Sequence, residues 1–213
     1  MRLAPEGRII ILPLFLITGI LIWFWAKIGI TIFAPAILGA ILLFSLNFFR
    51  DPLRIAPENE HLIIAPADGK IIKIETITDR ELGESQLVSI FLNVFNVHTN
   101  RMPIKGIFSD VKYEKGKFLI AFNHKASDEN ERTEITISSK AGTVKVKQIA
   151  GLIARRIICY AKHGETMEMG GRLGFIRFGS RTDLILPNTI NLAVELGQKV
   201  VGNRTIIGTF QSI

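Results

Sequence analysis

The sequence lacks several features that would narrow its class at once. Its 213 residues include one cysteine, Cys159, so no disulfide can form within the chain and no Cys-rich metal site can be built. There is no Gly-x-Ser-x-Gly elbow, no phosphate-binding P-loop and no His-Glu-x-x-His, which removes the common hydrolase, nucleotide and zinc signatures. The four histidines, His61, His98, His124 and His163, are too scattered for a metal-ligand spacing to be read. No basic run is interleaved with aromatics, so nothing points to nucleic acid. A disordered chain is also excluded, because 48% of the residues are hydrophobic and only 21% are charged.

Charge is scarcest at the N-terminus. Residues 1–50 hold four basic residues and one acid, whereas 51–213 hold the other 22 basic and 18 acidic ones. Eighteen uncharged residues run from Ile9 to Ala26, and after Lys27 another 22 run from Ile28 to Phe49. Each run reaches the ~18–20 residues that cross a hydrocarbon layer about 30 Å thick. They are too long for a cleavable signal and have no small-x-small site behind them. The expectation is an N-terminal transmembrane helical hairpin over 1–50, with helices 9–26 and 28–49, and a separate domain over 51–213. Arg2, Arg8, Arg50 and Arg54 flank the ends that would share one side, so the positive-inside rule places the polar domain on the cytoplasmic side of the cell membrane. A reducing compartment suits the lone cysteine.

Beyond the anchor the pattern is short segments rich in Ile, Val, Phe and Thr, broken by Gly, Asn and Asp. They are 71–76, 87–97, 106–113, 118–123, 133–139, 143–149, 153–160, 173–178, 183–186, 191–194 and 205–210. In the segment from Thr133 to Ser139, Thr133, Ile135 and Ile137 alternate with Glu134, Thr136 and Ser138, the period of a half-buried strand. The expected fold class is all-β, of sandwich or barrel-sandwich type. The polar stretch 125–132 reads as a surface loop.

Three clusters are richer in polar chemistry than a plain β domain needs. They are Ala65-Pro66-Ala67-Asp68-Gly69-Lys70, Asn96-Val97-His98-Thr99-Asn100-Arg101-Met102-Pro103, and the run from Gly170 to Arg181 that contains Gly179-Ser180. Taken singly, an Asp-Gly pair is usually a turn and a histidine beside Asn and Arg is usually a satisfied structural residue. Together, one Asp, one His and one Ser are the inventory of a charge-relay set, with Asp68, His98 and Ser180 as its members. Two other readings stay open on the residues alone. One is a membrane-anchored Ser/His/Asp hydrolase in which Ser180 stays intact. The other is a non-enzymatic, lipoyl-like tethered domain, suggested by 65–72 and 196–204 but without a lysine in the lipoylation turn.

The runs 94–103, 125–132, 151–157 and 172–180, together with Phe48-Phe49-Arg50-Asp51-Pro52 behind the apolar segments, resemble the short, membrane-anchored phosphatidylserine decarboxylases over nearly the whole chain. That resemblance implies a proenzyme that cuts itself between Gly179 and Ser180. A β chain of residues 1–179 and an α chain of residues 180–213 would then form a heterodimer. Ser180 would become a covalent pyruvoyl cofactor, with His98 and Asp68 completing the self-cleavage set. The mature protein would convert phosphatidylserine in the membrane to phosphatidylethanolamine and CO2 through a Schiff base, with no metal. Its phosphate and carboxylate would need cationic partners. Arg101, Arg155 and Arg177 are the first candidates, with Arg156, Arg172 and Arg181 behind them. Homo-oligomerisation is left open.

Overall fold

The computed structural model describes residues 2–29, 31–116, 130–151, 156–177 and 180–211. The chain divides into two compact units, Met1–Leu53 and Arg54–Ile213.

The first unit is helical. A single 3-10 turn, Pro5–Gly7, opens into α1, Arg8–Ile28, and α2 covers Phe33–Phe48. Pro5 suits the first turn because its missing N–H would have had no partner there. Gly29 ends α1 in the left-handed conformation, with φ 67° and its N–H on the Trp25 carbonyl at 3.1 Å. Within these apolar helices Thr18 and Ser45 return their hydroxyls to the carbonyls of Leu14 and Ile41 at 2.7 and 2.8 Å. Ala4 N donates to Phe49 O and Asp51 N to Arg2 O, so the start of α1 and the end of α2 lie side by side.

The expectation of two membrane spans needs correction. Pro5–Ile28, with 24 residues and an 18-residue stretch of mean hydropathy 2.5, is long and apolar enough to cross a membrane. At 16 residues α2 is only about 24 Å long, short of a hydrocarbon layer of about 30 Å. The apolar run 28–49 includes residues that the chain uses otherwise: Gly29 caps α1 and Ile32 caps α2. One candidate span is present among the described residues, not a hairpin of two.

The second unit is all-β. Its long strands are β2 (Gly69–Asp79), β3 (Gly83–Leu92), β5 (Gly106–Glu114), β6 (Arg132–Ser138), β7 (Thr143–Ala150) and β11 (Ser180–Pro187). The shorter ones are β1 (Leu62–Ile64), β4 (Thr99–Arg101), β8 (Ile157–Cys159), β9 (Thr166–Met167), β10 (Arg172–Ile176), β12 (Asn191–Leu192), β13 (Lys199–Val200) and β14 (Ile206–Thr209). Eight of them form the main antiparallel sheet in the order β13-β2-β3-β11-β7-β6-β5-β9, and smaller sheets run β1-β14-β12 and β4-β10-β8. Register shifts at Ile71/Lys73 and Phe108/Asp110 bend β2 and β5.

Alternation divides the two faces. Val88, Ile90, Leu92, Ile135, Ile137, Val144, Val146, Leu184 and Leu186 are buried on one face and join Ile63, Met102, Ile104, Phe108 and Leu173 in the main core. The other face carries charge. There Lys145 Nζ lies 2.7 Å from Asp79 Oδ1 and 3.1 Å from Glu81 Oε2, and Lys147 Nζ lies 2.9 Å from Glu134 Oε1. These groups line a groove of about 770 Å³.

Of the expected strands, 87–97 runs too far: β3 stops at Leu92 because Asn93 and Asn96 turn the chain with their side-chain carbonyls. Segment 118–123, most of loop 125–132 and residues 153–155 lie outside the described residues. The unforeseen strands β1, β4, β9 and β13 have two or three residues each, too few for a periodicity to be read.

The Lys145–Asp79 pair generates a test. Burial opposes the charge on Asp79, but Lys145 and the backbone amides of Glu81 and Leu82 outweigh it and hold the carboxyl below its ordinary 3.8. The stability from this shift is therefore present above pH 3.8 and lost as pH falls through the lower folded value. Lys145→Met should cost about 3 kcal/mol near neutrality. Chemical denaturation followed by circular dichroism should show a smaller loss of stability on acidification through the carboxylate range in the variant than in the parent.

Candidate active site

Asp68 and Ser180 lie at the starts of the two strands that flank the C-terminal end of β3, and His98 follows that end in the chain. Lys70 of β2 stands opposite Phe91, and Ser180, the first residue of β11, stands opposite Leu92 on the other side. Asp68 thus enters one neighbour of β3 where Ser180 begins the other, and the two neighbours are about 10 Å apart across the intervening strand. His98 follows β3 and lies just ahead of β4. Gly69 permits the tight entry: a Cβ there would sit 2.3 Å from the Phe91 carbonyl oxygen.

Ser180 is fully buried. It is laddered on both sides, opposite Leu92 of β3 and Ala150 of β7, and its Oγ has no hydrogen-bond partner among the described residues. A buried hydroxyl without a partner costs about 1–3 kcal/mol, so its presence at the first residue of a central strand calls for a chemical reason. Gly179 lies outside the described residues.

His98 is also fully buried. Its Nδ1 lies 2.9 Å from the Asn96 carbonyl, and because a carbonyl can only accept, that nitrogen is the donor. The backbone of His98 is tied to β10 by Ile176 N, which donates to its carbonyl at 3.4 Å. Ile176 packs on Ala150, the residue opposite Ser180.

The Asp68 carboxylate is committed elsewhere. Arg54 grips it with both Nη1 and Nη2, the second at 2.8 Å to Oδ2, and Gly202 N donates to Oδ1 at 2.9 Å. Arg54 Nη1 also reaches the Gly202 carbonyl at 3.0 Å. The place that a charge-relay set reserves for the aspartate, next to the histidine Nδ1, is taken by the Asn96 carbonyl. Sequence reasoning missed Arg54 as a site residue because its only visible role was a basic flank of the anchor.

The family profile described as phosphatidylserine decarboxylase matches residues 41–208. The chain belongs to the phosphatidylserine decarboxylase family. It is 43% identical over 212 residues to the phosphatidylserine decarboxylase proenzyme of Chlorobaculum tepidum, covering 98% of each. To the protein of that description from Ehrlichia ruminantium strain Gardel it is 44% identical over 210 residues, covering 97% of this chain and 90% of the relative. For Geobacter sulfurreducens the identity is 47% over 170 residues, covering 79% of this chain and 78% of the relative.

The arginines expected to meet a phospholipid divide. Arg181 is buried, with Nε on Asp183 at 2.6 Å and Nη2 on Ser89 Oγ at 2.6 Å, on the face of β11 opposite Ser180. That guanidinium is a structural tie. Arg172 lies over the Tyr160 ring at 5.9 Å, and Arg156 is exposed. Arg101 and Arg177, half-buried, end β4 and follow β10. Arg155 lies outside the described residues. Cys159 sits half-buried in β8, where burial pushes its thiol up from the ordinary value, as for a structural cysteine.

The Arg54 clamp is testable. Removing one partner of a largely desolvated, bidentate pair leaves a carboxylate held by one amide, so Arg54→Met should lower stability by about 2–3 kcal/mol and Arg54→Lys by less. The readout is the denaturation midpoint of the full chain in detergent. Equal midpoints for Arg54→Met and the parent would show that the clamp contributes nothing.

Proposed function

We propose that this protein removes the carboxyl group of phosphatidylserine, releasing CO2 and phosphatidylethanolamine, and that it first makes its own pyruvoyl group by cutting the Gly179–Ser180 bond. The observation that carries the reading is the buried Ser180 Oγ at the start of β11, without a hydrogen-bond partner among the described residues, with the buried His98 following the same end of β3.

Self-cleavage then runs on groups of the chain. His98 takes the Ser180 proton, and Oγ attacks the Gly179 carbonyl. The C–O bond forms, the C–N bond breaks, and the imidazolium returns its proton to the departing amine. Loss of the Gly179 carboxylate by β-elimination leaves an unsaturated residue at position 180, which takes up one water and releases ammonia. Asp68, held by Arg54 and Gly202, fixes the entry of β2 beside the end of β3 that Ser180 and His98 share. A pyruvoyl carbonyl at position 180 supplies the electron sink for the pair left behind when CO2 departs. Arg101 and Arg177 are the cations we assign to the phosphate.

The anchor fits the substrate. A lipid head group stays at the bilayer surface, so a helix of the length of α1 would hold the site at high effective concentration of its substrate. The basic residues around the helix ends favour the cytoplasmic face.

Mass spectrometry of the purified full chain tests the reading. Two fragments are expected, 1–179 and 180–213, the second starting with pyruvoyl instead of serine. Ser180→Ala should abolish cleavage, and His98→Ala should slow it by about 10²–10⁴-fold. A chain that stays whole while acting as an acyl hydrolase would overturn it.

A further inference from the structure

The core face of the sheet beside Ser180 is polar where alternation calls for apolar side chains. Thr182 shares that face with Ser180, Leu184 and Leu186, and Gln148 of β7 stands directly opposite it. Thr182, Gln148 and Asn100 of β4 are all fully buried. Gln148 Nε2 donates to Asn100 Oδ1 at 2.7 Å. This leaves Asn100 Nδ2, Gln148 Oε1 and Thr182 Oγ1 buried without a hydrogen-bond partner among the described residues, as Ser180 Oγ is. The arrangement is built around these groups: at Gly174 of β10 a Cβ would lie 2.5 Å from Gln148 Nε2.

Native interiors rarely leave one such atom unsatisfied, and this cluster of them beside Ser180 marks a place where something polar binds. The remaining hydrogen-bonding capacity has a definite character. Asn100 Nδ2 donates, Gln148 Oε1 accepts, Thr182 does either, and none is charged.

We infer that Asn100, Gln148 and Thr182 form a neutral niche for the amino-acid end of the lipid head group. Asn100 Nδ2 and the Thr182 hydroxyl donate to its carboxylate, and Gln148 Oε1 accepts from its amine. This rests on the decarboxylase reading above and names the groups that tell a serine head group from an ethanolamine one. Uncharged donors suit a carboxylate that must depart, because an arginine there would stabilise the charge being lost and raise the barrier to CO2 release. The arginine closest in sequence to Ser180, Arg181, is turned to the opposite face and tied to Asp183.

Binding, measured apart from turnover, tests the niche. The full chain in detergent micelles is treated with borohydride, which reduces any pyruvoyl carbonyl and stops the reaction. Dissociation constants are then measured for short-chain phosphatidylserine and phosphatidylethanolamine. The parent should prefer phosphatidylserine. Thr182→Val and Asn100→Leu should each weaken phosphatidylserine about tenfold or more, the worth of one hydrogen bond to a charged group, with phosphatidylethanolamine within about twofold of the parent. Thr182→Ser keeps the hydroxyl and should bind like the parent, which separates the hydrogen bond from packing. Equal weakening of both lipids, or no change for phosphatidylserine, would overturn the niche. A parent chain that neither cleaves nor decarboxylates would instead sink the underlying reading.

Discussion

The antiparallel ladder that seats β11 between β3 and β7 is what the candidate site depends on. Because Ser180 is the first residue of that strand, its backbone is held on both sides, by Leu92 and by Ala150, at the point where the strand begins. The pairing brings Ser180 to the end of β3 that Asp68 approaches from the other side, and beyond which His98 follows. Shifting β11 by one residue would turn Ser180 to the face occupied by Arg181 and Asp183.

Burial on both faces makes that strand demanding. On one side Leu184 and Leu186 lock into the main core, and on the other the Arg181–Asp183 pair is closed off with Ser89. An ion pair of this kind is seldom a net gain over apolar side chains, but breaking it is costly, so it discriminates against other registers. The polar groups around Ser180 differ in kind. They are left unsatisfied within the fold, and the stability they forgo is available to whatever binds them.

Much of this is legible in the residues. The alternation of Thr133 to Ser138 and the short Ile- and Val-rich runs mark most long strands, because a half-buried sheet imposes a period of two on its residues. Ser180, His98 and Asp68 can be singled out by residue type and by resemblance. The second apolar run misleads: hydropathy counts residues without knowing that Gly29 and Ile32 serve as caps. Arg54 cannot be found that way, since its partner Asp68 is fourteen positions away and Gly202 lies at the far end of the chain.

By itself the sequence determined an apolar N-terminal segment, an all-β remainder and the kinds of side chain available for chemistry. These follow from local composition and short-range periodicity, which every window of the chain carries within it. Only the tertiary structure decided that Asn96 rather than Asp68 faces the His98 ring, that Arg181 points away from the site, and that Gln148 meets Asn100. Those facts depend on strand register and on contacts between distant segments, and neither is encoded at the range over which a single sequence can be read.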